Sequence, residues 1–260
     1  MTEHLSGTVA WVTGGGRGIG RAIARALAED GAHVVVSARS RGELDAVVLE
    51  IKRIRRDALA IVCDVTAGDH VADLVERVEK RLGPIDILVN NAGFVESTPL
   101  VTLEPELWDR TLAVNLTGTY LCTRAVLPGM IVKARGRIIS IASTAGRVGY
   151  RYTAAYCAAK HGVLGFTRAV ALEVAEQGIT VNAICPGWVD TDMTAASVVR
   201  IAEKTGRSRP DARRIIERMN PQGRLIQPEE VAAMAVFLAS DAAHGITGQA
   251  FDVDGGEVMA

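Results

Sequence analysis

The feature that most constrains this chain is a repeated alternation. Short runs that are apolar throughout are separated by longer stretches with helical periodicity, from residue 8 to about residue 184. Residues 8–13 (TVAWVT), 33–37 (HVVVS), 58–63, 85–89, 137–142 and 180–184 are runs of the first kind. Residues 19–29, 43–56, 71–82, 107–132 and 154–176 are of the second kind, with Pro128 expected to bend or end the fourth. A strand apolar on both faces has to be covered on both faces, and parallel neighbours need a long crossover, which a helix supplies. Right-handed crossovers wind such a chain into an open parallel sheet with helices on either side. A helix over residues 229–239 and a last strand near residues 250–253 complete a seven-stranded, doubly wound α/β fold. About residues 187–222 break the pattern with Pro210, Pro221 and an arginine-rich stretch. One or two short helices are expected there, as a lid over one end of a single domain spanning residues 1–260.

Bulk composition mainly excludes classes. The formal net charge is −1 and the basic residues are spread along the chain, so no nucleic-acid partner is expected. Cys63, Cys122, Cys157 and Cys185 show no CxxC spacing, which predicts free buried thiols in a reducing cytoplasm and no metal cluster. Residues 1–7 lack a basic segment leading into an apolar one, and no apolar run is long enough to cross a bilayer. A cytoplasmic protein with no membrane partner is expected.

The junction after the first strand reads Thr13-Gly14-Gly15-Gly16-Arg17-Gly18-Ile19-Gly20. Glycines there let backbone N–H groups approach a phosphate, and the following helix offers its positive end. The spacing Gly14, Gly18, Gly20 is not GxGxxG, so that fingerprint is not claimed. The second strand ends Ser37-Ala38-Arg39-Ser40, without the carboxylate that holds a ribose 2′-hydroxyl in NAD-binding units. Arg39 and Arg17 are either surface arginines or partners for a 2′-phosphate. The second reading predicts NADP(H) in preference to NAD(H).

Tyr156 and Lys160 lie one turn apart on a predicted helix and share a face. A free phenol ionises near pH ~10, and a neighbouring ammonium lowers that value. Ser143, just past the fifth strand, stands where ligands bind in open parallel sheets. Asn115 lies in an apolar helical stretch and needs a hydrogen-bond partner, either a structural one or a water.

Together these motifs resemble the short-chain dehydrogenase/reductase family in its single-domain form, over nearly the whole chain. Thr13–Gly20 resembles the family's TGxxxGIG turn, with Gly14, Gly16, Arg17, Gly18, Ile19 and Gly20 around the cofactor. Asp64 and Val65 resemble its adenine contact, and Asn90-Asn91-Ala92-Gly93 its NNAG. Asn115, Ser143, Tyr156 and Lys160 fall on its catalytic tetrad. The resemblance implies hydride exchange between a nicotinamide and a carbonyl carbon. It makes Tyr156 the proton donor, gives Lys160 a second role on the nicotinamide ribose, and has Ser143 orient the carbonyl. It also implies that Asn115 places a relay water, and that Pro186, Gly187, the Val189 backbone and Thr191 hold the carboxamide. No metal is implied. The family's tetramers further imply a homotetramer, or a homodimer, built through about residues 107–132, 152–176 and 251–260.

For a small carbonyl or alcohol substrate, the candidate wall residues are Phe94, Val95, Val148, Tyr150, Trp188 and Met193. Residues 207–218 either meet a phosphopantetheine or coenzyme A phosphate or form a solvated helix face. The chain is similar to 3-oxoacyl-thioester reductases and hydroxyacyl dehydrogenases, and residues 182–191 (NAICPGWVDT) resemble the 3-hydroxybutyrate dehydrogenase branch. Three readings stay open: a 3-oxoacyl-thioester reductase, a dehydrogenase of a free hydroxy acid, cyclic alcohol, steroid or sugar, and a non-catalytic redox sensor. A methyltransferase on a similar sheet would not need the Tyr–Lys pair.

Overall fold

A computed structural model describes residues 3–54 and 56–259. Its sheet has seven parallel strands in the order β3-β2-β1-β4-β5-β6-β7. The strands are β1 (Val9–Thr13), β2 (His33–Ala38), β3 (Ala58–Val62), β4 (Ile87–Asn90), β5 (Gly136–Ile141), β6 (Ile179–Pro186) and β7 (Ala250–Val253). Successive side chains of one strand enter opposite cores, which is why these runs are apolar throughout. Ala10, Val12, Val34 and Val36 pack on one face with α1 (Gly18–Glu29), α2 (Arg41–Arg53) and α9 (Pro228–Ala239). Val9, Trp11 and Val35 pack on the other with α3 (Gly68–Leu82), α5 (Gly118–Lys133) and α6 (Ala154–Val174). Trp11 is fully buried, and its Nε1 donates to Ser37 Oγ at 2.9 Å, so the indole N–H stays satisfied.

The stretch expected as one helix over residues 107–132 is three pieces. Helix α4 (Pro105–Leu112) passes through a π-helical turn, Ala113–Thr117, into α5. Thr111 Oγ1 donates to Leu107 O at 2.7 Å and Asn115 Nδ2 donates to Thr111 O at 2.9 Å, so side chains take up carbonyls at the irregularity. Pro128 does not end the helix, which runs on to Lys133 and stops where Ala134 turns left-handed at φ 49°. Helix α2 stops at Arg53, short of the expected residue 56, and Arg55 lies outside the described residues.

The excursion after β6 holds α7 (Asp192–Thr205) and α8 (Arg209–Glu217) around a small core of its own, Val198, Ala212, Ile216 and Leu225, with Trp188 and Ile201 against it. Its two ends are joined by a parallel bridge between Val189 and Ile226. The carboxyl ends of β1, β4, β5 and β6 and the excursion surround one cleft of about 1170 Å³. No helix among the described residues is long and apolar enough to cross a membrane.

Candidate active site

One wall of the cleft is built by backbone proximity. Thr13 Oγ1 accepts the N–H groups of Asn91 and Ala92, both at 2.9 Å, and Asn91 Nδ2 donates to Thr13 O at 2.9 Å and Gly14 O at 3.1 Å. These bonds lock the ends of β1 and β4 together. They leave no room for side chains at two positions: a Cβ on Gly20 would lie 2.3 Å from Gly14 O, and one on Gly14 would lie 2.9 Å from Ala92 Cα. Gly14 and Gly18 also adopt φ of 61° and 52°, which favours glycine. The result is a bare backbone turn at the start of α1, of the kind that cradles a phosphate. Gly14, Gly16, Arg17, Gly18, Ile19, Gly20, Arg39, Asp64, Val65, Asn91, Ala92, Gly93, Pro186, Gly187, Val189 and Thr191 all line this one cleft. A dinucleotide therefore fits these residues.

Two charges on this wall depart from the simplest expectation. Arg17 lies 3.8 Å from Glu43, an acid on α2 outside the glycine turn, and both are exposed. Arg39 is exposed and has no ion pair among the described residues, though its charge helps draw the Asp64 carboxyl down. The main cause of that lowering is the Thr66 N–H and hydroxyl, which Asp64 Oδ1 accepts at 2.9 and 2.7 Å.

Ser143, Tyr156 and Lys160 meet deeper in the cleft. Ser143 caps a 3-10 turn, its Oγ accepting Ala145 N–H at 3.1 Å. Lys160 is 4% exposed, donates to Ile141 O at 2.7 Å and holds its ammonium 5.5 Å from the centre of the Tyr156 ring. Burial lowers the Lys160 pKa to about 8. Burial also pushes the Tyr156 phenol up to about 12, against the downward pull of the neighbouring Ser143 hydroxyl. In the protein alone, desolvation of the phenolate therefore outweighs the pull of the Ser143 hydroxyl. The lowering expected from a neighbouring ammonium is not seen in the protein alone.

Asn115 sits behind this group and does not line the cleft. Its Nδ2 donates to Phe94 O at 2.8 Å and Thr111 O at 2.9 Å, and its Oδ1 accepts Phe94 N–H at 3.3 Å. Both amide hydrogens are spent on protein carbonyls, so the side chain works as a brace between the π turn and the strand β4 exit.

The opposite wall mixes apolar and basic groups. Phe94, Val95, Tyr150, Trp188 and Met193 line it; Val148 does not. The chain turns outward after the 3-10 turn and leaves Val148 39% exposed, with Gly149 taking its place at the wall. The arginine-rich stretch does not line the cleft: Arg213 pairs with Asp190 at 2.9 Å and Glu217 at 2.7 Å, and Arg214 with Asp211 at 3.0 Å. The basic residues that do line the cleft on this side are Arg110, Arg151, Arg200 and Lys204, none of them in an ion pair among the described residues. Arg110 lies over the Phe94 ring at 4.4 Å. Arg200 and Lys204 are an i,i+4 pair on α7, a spacing visible in the sequence once that helix is placed.

Comparison with known proteins fits this geometry. A family model described as Enoyl-(Acyl carrier protein) reductase matches residues 14–257. A 3-oxoacyl-[acyl-carrier-protein] reductase of Synechocystis is 45% identical over 257 residues, 98% of this chain and 98% of its own. A D-beta-hydroxybutyrate dehydrogenase of Cupriavidus necator is 41% identical, over 98% of this chain and 99% of its own. The solved structure of an actinorhodin polyketide ketoreductase variant with NADPH superposes with a TM-score of 0.94 at 42% identity, covering 99% of each chain. Relatives named for turnover remove the non-catalytic sensor and the methyltransferase from consideration. This chain belongs to the short-chain dehydrogenase/reductase family and is an oxidoreductase acting on CH–OH groups, interconverting a ketone and an alcohol.

Proposed function

We propose that the protein is an NADP(H)-dependent reductase of 3-oxoacyl thioesters, able to run in reverse on 3-hydroxyacyl thioesters. The observation that carries this reading is the meeting of Ser143, Tyr156 and Lys160 in the same cleft as the bare glycine turn. A bound nicotinamide supplies or accepts hydride. Tyr156 keeps its proton at neutral pH in the protein alone, the form a carbonyl reduction consumes. The phenol donates that proton to the alkoxide oxygen, and Ser143 polarises and orients the same oxygen. Lys160, anchored on Ile141 O, keeps two further N–H donors for a ribose and for reprotonation of Tyr156. Arg39 supports the preference for a 2′-phosphate, with Arg17 reduced to a minor part by Glu43. The turn from Pro186 through Val189 to Thr191 holds the carboxamide end.

The thioester is favoured by the unpaired Arg110, Arg151, Arg200 and Lys204 around an otherwise apolar wall, which suits an acyl chain ending in a phosphate-bearing carrier. The relative named D-beta-hydroxybutyrate dehydrogenase supports a second reading, a free 3-hydroxy acid as substrate. Residues 187–222 then act as the substrate lid. Cytoplasmic location is supported by four buried free thiols, Cys63, Cys122, Cys157 and Cys185. A homotetramer is supported by apolar side chains left exposed on α5 and α6, among them Tyr120 at 42% and Leu172 at 83%. Light scattering behind size exclusion tests the oligomer.

The deciding experiment is NADPH oxidation across coenzyme A thioesters and matching free 3-oxo acids. Turnover of thioesters, with KM raised about tenfold in Arg200→Ala or Lys204→Ala, is the expected result, the scale of one charge-assisted contact. Turnover of the free acids alone selects the second reading.

A further inference from the structure

The last turn of the chain carries a carboxylate that the proton chemistry does not use and that meets the cofactor side only by packing against Gly187. Glu257 Oε1 accepts the Tyr150 hydroxyl at 2.5 Å, and the same phenol oxygen lies 3.0 Å from Thr144 Oγ1. Glu257 Oε2 is buried without a hydrogen-bond partner, packed so tightly that a Cβ on Gly187 would lie 2.9 Å from it. The backbone around Glu257 is itself fixed: Asp254 accepts the N–H groups of Gly256 and Val258, both at 2.8 Å. On its other side this tail meets the end of the lid. The buried Asn220 leaves so little room at Gly255 that a Cβ there would lie 2.0 Å from Asn220 Oδ1, while Pro221 Cγ lies 3.7 Å from the same point on Gly256. One short segment therefore touches three parts of the cleft: the loop after β5, the Pro186-Gly187 turn and the lid's closing end.

From this we infer that Glu257 is a positioning residue, which holds the Tyr150 ring in the substrate wall and ties that wall to the lid through the C-terminal tail. The inference rests on the reading of this side of the cleft as the substrate side. A buried carboxylate oxygen without a partner is unfavourable, so the Tyr150 hydrogen bond is the contact that holds the side chain in place. Without it Tyr150 keeps only Thr144 and gains freedom to swing. Ser143 is held separately, through Ala145 N–H on its Oγ at 3.1 Å and Gly146 N–H on its carbonyl at 2.8 Å. Loss of Glu257 therefore loosens substrate binding and leaves the proton chemistry in place.

The test uses Glu257→Ala, Tyr150→Phe, the double variant and Glu257→Gln, which retains an acceptor. Glu257→Ala and Tyr150→Phe are each expected to raise the substrate KM about tenfold, the scale of one charge-assisted hydrogen bond, with kcat and NADPH affinity within about threefold of wild type. The double variant should be no worse than either single one, and Glu257→Gln should recover most of the loss. Independently of turnover, amide hydrogen exchange in residues 147–152 should quicken in Glu257→Ala. Additive KM effects, equal losses in NADPH affinity, or unchanged exchange in residues 147–152 would each overturn the inference. Absence of any carbonyl turnover by wild type would instead remove the functional reading, while the exchange result would still judge the link between Glu257 and Tyr150.

Discussion

The two walls of the cleft are held by different physics. The cofactor wall, from the β1 turn to Gly93, is fixed by buried backbone contacts: Thr13 and Asn91 bond two strand ends, and Gly20 sits where a Cβ would be 2.3 Å from a carbonyl oxygen. The substrate wall rests on exposed helices and ion pairs. Helix α8 is joined to Asp190 by Arg213, and the segment after α8 to α9 by Arg224 and Glu230. A wall of the first kind tolerates no change and suits a ligand of constant shape. A wall of the second kind tolerates much and suits a part of the site that tunes specificity.

The sharpest way to break this division is at its seam, where Tyr156 faces both walls. Tyr156→Phe removes one hydroxyl and should lower kcat by at least ~10²-fold, the scale of a lost general acid, with NADPH affinity kept. Stopped-flow NADPH binding and steady-state rates separate the two. A near-normal kcat would take the proton step away from this residue.

The next largest effect compares one glycine from each wall. Gly20→Ala should cost about 3 kcal/mol in denaturant unfolding and weaken NADPH binding, because neither Gly14 O nor Asn91 can move. Gly206, the cap of α7, has φ 67° and nothing within 4 Å of an added Cβ. Gly206→Ala should cost about 1 kcal/mol, the left-handed penalty alone. Equal costs would mean that the walls do not differ in rigidity. Smaller again is Arg39→Ala, expected to raise the NADPH dissociation constant about 30-fold and leave that of NADH unchanged, the signature of one lost phosphate contact. A parallel loss for both nucleotides would mean that Arg39 supports the fold of the β2 exit and reads no phosphate.

The same division explains what could be seen in the sequence. The central strands were legible because both their faces are buried, and Tyr156 and Lys160 because one helical turn brings them together without help from the rest of the chain. The glycine turn was legible because sterics dictate its residues locally. Asn115 was ambiguous because its partner, Phe94, is 21 residues away and its bonds depend on a π turn that no periodicity announces. Arg213 and Arg214 looked available for a ligand, yet carboxylates on their own helix and on the β6 exit occupy them. Arg110, Arg151 and Arg200 come from three separated segments that only the tertiary fold brings to one opening. Glu257 and Tyr150 are 107 residues apart, a pairing with no local signature.

The smallest effect probes the ion-pair wall directly. Glu230 accepts both Arg224 N–H groups, at 2.6 and 2.7 Å, and the Gln227 N–H at 2.7 Å. The Arg224 hydrogen bond, then that of Gln227, holds its pKa down to about 2, from 4.5. A carboxyl whose folded pKa is depressed adds stability above its unfolded value and loses it as pH falls through the folded one. The contribution is therefore full above pH 4.5 and fades toward pH 2. Because the pair is partly exposed, Glu230→Gln should cost under ~1 kcal/mol at pH 7. The gap between variant and wild type should narrow as pH drops below 4.5. Amide exchange should quicken at residues 220–230 and stay unchanged in β1 and α1. Equal loosening of β1 would show that the segment before α9 and the glycine turn open as one unit, and the two walls would then be mechanically coupled despite their different construction.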